Sequence, residues 1–244
     1  MTEAQNGESE LKLFEGTSTT KQYAIGVVLA AVYGVSALVP VSGFIVGSGI
    51  VAQISLSILI APLFGVLLGP TRGFVFGLIG GIITGFLSVI VPSVMLIVPT
   101  VILGPAVSGF LTGLCLRPRE RSGGFITAAY LAVIMVLYLI PNYEAWWFMS
   151  PYALAAVVAV ILQVRGVEFD PSTQSSLRYL LPLTLIGTIT DFSMMTMGAV
   201  YIASIPAAVF GFIIFPAMLI ERTAAAIVSA IVIGIVMVAF KDQL

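Results

Sequence analysis

Residues 73–91 read GFVFGLIGGIITGFLSVIV, a run of 19 positions without a charge, and the rest of the chain is arranged around them. An apolar run of that length crosses a bilayer as a helix. Gly73, Gly77, Gly81 and Gly85 recur at every fourth position, so they share one helix face and leave a bare groove along it. In water each of these glycines would cost about 1 kcal/mol against alanine. In lipid there is no hydrophobic drive between helices, and small residues let backbones approach and pack. The groove suits close packing on a neighbouring helix, or a smooth face on which the molecule slides or docks.

The whole chain agrees with that stretch. Its 244 residues are 59% hydrophobic and 9% charged, with a mean hydropathy of +1.15. A soluble domain carries about 25% charged residues. The expected class is an all-α polytopic membrane protein. A net charge of −1 offers no basic surface for nucleic acid. Residues 1–20 form a polar, acidic tail without the basic start, apolar core and cleavage site of a signal peptide. Residues 21–244 then make a single transmembrane domain.

Several chemistries are missing. The chain has no histidine and one cysteine, Cys115, which removes histidine-assisted serine catalysis, zinc-protease helices and any internal disulfide. A buried lone cysteine reads as a small hydrophobe. No P-loop occurs, so energy for any pumping comes from a partner or an ion gradient. An intramembrane aspartyl protease needs two facing aspartates, and a prenyltransferase needs a carboxylate cluster for magnesium pyrophosphate. Neither pattern is present. No catalytic residue, metal ligand or cofactor is therefore assigned, and the chain is not expected to be an enzyme.

Apolar runs, prolines and charges predict about eight spans, near residues 22–39, 50–69, 73–91, 94–116, 125–140, 152–164, 178–203 and 217–240. Gly69-Pro70 is a turn signal between the second and third. The uncharged segment VSGFIVGSG joins the first two spans, and IPAAVFGFIIFP, residues 205–216, is expected as an outer loop or partly inserted hairpin. Lysine and arginine fall before span 1 and after spans 2, 4, 6 and 8, and never after spans 1, 3 or 5. By the positive-inside rule both termini are cytoplasmic. A nine-span arrangement would instead put Glu221 and Arg222 in a cytoplasmic turn. Trp146 and Trp147 suit a membrane interface, and Met194, Met195 and Met197 suit core filling.

Ionisable residues within spans are costly and mark functional sites by default. Here they are Asp191, Glu221 and Arg222. Asp191 stands 13 residues past Arg178, about 20 Å inward along a helix. Glu221 stands 20 residues before Lys241, about 30 Å from the inner face. Gln53, at the start of the polar pattern Gln53, Ser55, Ser57, has a similar depth. These groups converge on the outer leaflet. Two readings follow, a ligand pocket open to the outside and an Asp191–Arg222 pair that ties two helices together.

LFGVLLGPTRGFVFGLIGGIITGFL at 63–87, PTVILGPAVSGFLTGL at 99–114 with the arginine-rich RPRER after it, and FPAMLIERTAAAIVSAIVIGIV at 215–236 resemble the substrate-binding S components of energy-coupling factor (ECF) transporters. The resemblance covers about two thirds of the chain. It implies a six-helix bundle with both ends cytoplasmic, here carrying an inserted hairpin at 125–164. It also implies capture of a vitamin or similar micronutrient on the outer face, and delivery with a transmembrane T subunit and two cytoplasmic ATPases. The stripe Gly26, Ala30, Gly34 stands where that family docks its T subunit through an alanine-x-x-x-alanine surface. The ligand positions of the family correspond to Phe44, Gln53, Asp191, Tyr201, Glu221 and Arg222. The alternatives are a standalone secondary transporter or channel, which needs charges along a path through the whole membrane, and a non-transporting scaffold.

Overall fold

The computed structural model describes residues 19–45, 51–90, 98–116, 122–166 and 177–240. The acidic tail, the RPRER loop and Lys241 lie outside them. Helix α1 is Thr19–Ser36. An antiparallel hairpin follows, strand β1 at Pro40–Ile45 against strand β2 at Val51–Ser55, with Gly43 opposite Gln53 and Phe44 opposite Ala52. A 3-10 turn at Leu56–Leu59 leads into helix α2, Ala61–Ile90. Then come α3 (Val98–Leu114), α4 (Gly123–Asn142), α5 (Ser150–Arg165) and α6 (Leu177–Tyr201). Helix α7, Phe215–Phe240, is entered through Ala207–Val209 and a π turn at Phe210–Ile214.

Four helical stretches are long and apolar enough to cross a membrane: Ala61–Ser88, Gly123–Arg165, Leu177–Tyr201 and Ala207–Val238. With α1 and the shorter apolar Pro99–Leu114, six continuous stretches stand among the described residues, where eight spans were expected. The difference lies at two expected turns, where helical backbone carries on through the bend. At the first, Gly69 takes φ 75°, ψ −178°, a conformation open essentially to glycine alone, and Pro70 starts the next turn. A straight helix would hold positions 64 and 80 about 24 Å apart. Yet a Cβ added to Gly80 would lie 3.4 Å from the Phe64 ring, so the chain doubles back at Gly69. At the second, a 3-10 segment at Tyr143–Met149, broken at Ala145, joins α4 to α5. The Gly124 amide donates to Gln163 Oε1 at 3.0 Å, which closes that stretch into a hairpin as well.

Two other expectations are corrected. The described part of the connector, Pro40–Ile45, is a strand paired with Val51–Ser55 at the start of the predicted second span, a 3-10 turn follows, and helix begins only at Ala61. Residues 205–216 are not a loop or inserted hairpin, because Pro206 caps helical backbone that runs into α7. The physical reason is Pro216. Inside a helix it lacks the N–H for position 212 and its ring crowds that carbonyl, and the π turn just before it widens the helix where the crowding falls.

The glycine face of α2 lies on α3. Cβ atoms added to Gly73, Gly77 and Gly81 would meet the backbones of Gly109, Pro105 and Ile102 at 3.0, 2.5 and 2.2 Å, and Gly85 is buried. From α3 the relation is mutual, since a Cβ on Gly109 would lie 2.5 Å from the Gly73 carbonyl oxygen. The rising and falling residue numbers show the two helices to be antiparallel. One core, with Ala30, Phe64, Leu180, Ile186 and Ile233, joins α1, α2, α6 and α7. A second, largely aromatic core with Tyr138, Phe148, Tyr152, Phe192 and Phe210 holds the α4–α5 hairpin to α6 and the entry to α7. Outside, Ile220 (75% exposed), Phe212 (74%) and Phe86 (71%) stand free, an arrangement suited to lipid and not to water.

Candidate functional site

Helices α6 and α7 meet through polar contacts spaced one helical turn apart. Thr184 Oγ1 donates to the Ala226 carbonyl at 2.8 Å. One turn further along, Arg222 Nη1 donates to the Thr188 carbonyl at 3.2 Å and lies 3.7 Å from Asp191 Oδ2. The Arg222 guanidinium also covers the Phe192 ring, 4.2 Å from its centroid. Positions 188, 191 and 192 are i, i+3 and i+4, so one face of α6 holds the whole arginine head. Both charged side chains are almost fully buried, at 3% and 8% exposed. The aspartate stands against bare backbone, since a Cβ on Gly104 of α3 would fall 2.7 Å from Asp191 Oδ1.

Beside this pair is a cavity of about 30 Å³. Asp191, Met195 and Arg222 close it from α6 and α7, and Val101 and Gly104 from α3. Tyr33 of α1, Thr84 of α2 and Ser55, Ser57 and Ile58 from the end of the hairpin complete the wall. Among the hydroxyls, Ser55 Oγ and Ser57 Oγ are 2.5 Å apart, and Thr84 donates to the Gly80 carbonyl at 3.0 Å. Ser229 of α7 ties the same 3-10 turn down by donating to the Leu59 carbonyl at 2.8 Å. Residues from seven separate elements thus surround one ion pair.

The structure sorts the residues singled out in the sequence. Asp191 and Arg222 are brought together. Glu221 is half-buried on α7 and is not among the residues lining the cavity, because one position along a helix turns a side chain by about 100°. Tyr201 lies ten residues beyond Asp191, about 15 Å along the helix. Its hydroxyl donates to the Leu137 carbonyl of α4 at 2.7 Å and its ring is exposed, so it belongs to the α4 contact and not to this cavity. Phe44 and Gln53 are placed by backbone at their hairpin register, and their side chains lie outside the described residues. Of the methionines, Met194, Met195 and Met197 all pack on the aromatic core, and Met195 reaches the cavity too. Trp147 Nε1 donates to the Gly211 carbonyl of the π turn at 3.3 Å, whereas Trp146 is exposed.

The stripe Gly26, Ala30, Gly34 needs correction. All three are buried, and added Cβ atoms on Gly26 and Gly34 would strike Phe76 and Ile83 of α2 at 2.4 Å. The stripe is spent on packing α1 against α2, so a partner has no access to it here. The outward face of α1 carries Val27, Val28, Val32 and Val35 instead.

Of the residues lining the cavity, only Asp191 and Arg222 were singled out as site residues; Tyr33, Thr84, Gly104 and Ser57 are among those that were not. Ser57 had a signal in the Gln53, Ser55, Ser57 pattern. Tyr33 had one too, an aromatic hydroxyl three positions past Ala30 on the inward face of α1. Nothing local marks Thr84 or Gly104, whose part depends on what lies across from them. Set against known protein families, curated proteins and solved structures, the chain matches none.

Proposed function

We propose that this protein is the membrane-embedded capture subunit of an ECF-type importer. In this reading it binds a vitamin or similar small micronutrient from the outer side and delivers it with a T subunit and two ATPases. The observation that carries the reading is the buried Asp191–Arg222 pair opening on a hydroxyl-lined cavity. A pair used only as a tie would be enclosed by well-packed side chains. Here Thr184 of α6 already donates across to α7, and the charges border space. The hairpin end reaches the same space through Ser55 and Ser57, which gives the site one wall that is not a membrane helix. In this reading the eight-span topology, with two of the six helical stretches each doubling back, has both termini in the cytoplasm.

Pockets for drug-sized ligands have volumes of about 300–1,000 Å³. The cavity therefore seats the terminal group of a larger molecule, and entry of the rest requires the hairpin wall to move. The direct test is mass spectrometry of extracts from the purified protein, which should yield one stoichiometric small molecule. Asp191→Asn should weaken its binding at least tenfold, about 1.4 kcal/mol, with expression unchanged. Unaltered affinity in that variant removes Asp191 from the pocket. Failure to co-purify with a T subunit and ATPases from the native membrane removes the ECF assignment.

A further inference from the structure

The capture reading leaves open what chemistry the site selects, and the arginine narrows it. A guanidinium offers five N–H donors in a rigid planar fork. In Arg222 the hydrogen bond to Thr188 and the ion pair with Asp191 both use Nη1. At 3.7 Å the second is an ion pair and is too long for a hydrogen bond. Nε is buried and has no hydrogen-bond partner among the described residues. The side chain is 3% exposed, so bulk water does not take that role. A buried charged donor without an acceptor is costly, and its presence beside a cavity implies an acceptor that arrives from elsewhere.

Three hydroxyls of the wall are engaged already. Ser55 and Ser57 pair with each other, and Thr84 is turned back on its own helix. The surplus is therefore the Nε–H, and the guanidinium edge that carries Nε has as its complement a planar group with two acceptor oxygens. Size points the same way. A cavity of about 30 Å³ takes about two water-sized groups, which suits the oxygens of a carboxylate and not a tetrahedral phosphate. A cationic group would meet Arg222 across a few ångströms of poorly screening protein, with Asp191 already facing the arginine.

We propose, building on the capture reading, that Arg222 anchors a carboxylate of the captured molecule through the edge of its guanidinium that carries Nε, while Nη1 stays on Thr188 and Asp191. The protein is then selective for micronutrients that are carboxylic acids. The test uses the full-length protein in detergent and isothermal titration with matched pairs: nicotinate and nicotinamide, pantothenate and panthenol, biotin and biotinamide. The molecule retained on purification is identified by mass in parallel. The expected result is a retained carboxylic acid, and binding of at least one free acid tenfold or more above its uncharged counterpart. Arg222→Gln should remove that preference, and Arg222→Lys should keep part of it. Should Arg222→Gln not fold, the mass of the molecule retained by the unaltered protein decides. A retained neutral or cationic compound, or equal affinity for acid and amide, overturns the carboxylate assignment and leaves capture standing. No retained molecule and no binding by any probe overturns both.

Discussion

The α2–α3 contact and the α6–α7 contact join their helices by opposite means. Between α2 and α3 the chain removes side chains until backbones touch, with Gly77 and Gly81 set against Pro105 and Ile102. Between α6 and α7 it inserts hydroxyls, a carboxylate and a guanidinium. The glycine seam of the first contact leaves no room for a ligand. The second keeps an imperfectly satisfied charge next to open space, which is a poor way to hold two helices and a good way to bind something. Membrane helices gain from either device, and only the polar one discriminates between solutes.

That contrast can be broken at either contact. The largest effect is expected from Arg222→Met, which strands the buried Asp191 and should cost about 3–5 kcal/mol in detergent unfolding. The double variant Asp191→Leu with Arg222→Met should recover most of that loss, since a well-packed apolar pair often equals a buried ion pair. It should still retain no ligand. A double variant as unstable as the single one would show that the pair is structural glue. Next comes Gly81→Ala. Its Cβ would fall 2.2 Å from the Ile102 carbonyl oxygen, an overpacking that should cost about 1–3 kcal/mol with ligand affinity preserved in the folded fraction. The smallest is Thr184→Val, which loses the bond to the Ala226 carbonyl and should lower stability by about 1 kcal/mol without changing what is bound.

The long apolar runs were legible because lipid imposes length and hydropathy on any helix that crosses it. Gly69-Pro70 was legible as a turn because its chemistry is local, and the structure gives Gly69 a positive φ. The pairing of Pro40–Ile45 with Val51–Ser55 was not, since an uncharged segment rich in glycine and serine suits a loop as well as a strand. The helical entry to α7 was missed for a related reason. Pro206 and Pro216 both read as breakers, while one caps helical backbone and the other follows a π turn that makes room for it. In the candidate site, Asp191 and Arg222 stood out because charge in lipid is rare. Tyr201, which only the family resemblance suggested, went elsewhere. Thr84 and Gly104 were invisible because their contribution lies in packing across the bundle, which no local pattern encodes. The stripe at Gly26, Ala30 and Gly34 shows the limit of motif reading, as small residues mark a close approach but do not say to whom.

The two tryptophans of the chain are neighbours with different fates. Trp146 looks outward, 67% exposed, and Trp147 is fastened to the wide turn ahead of α7. No other indole exists in the sequence, so the native emission of the protein comes from a single place. An aqueous or lipid-borne quencher would extinguish the outward ring and leave the fastened one glowing. Any shift of the entry to α7 that loosens the fastened ring would then register as a change in colour and lifetime, with no dye attached and no residue altered.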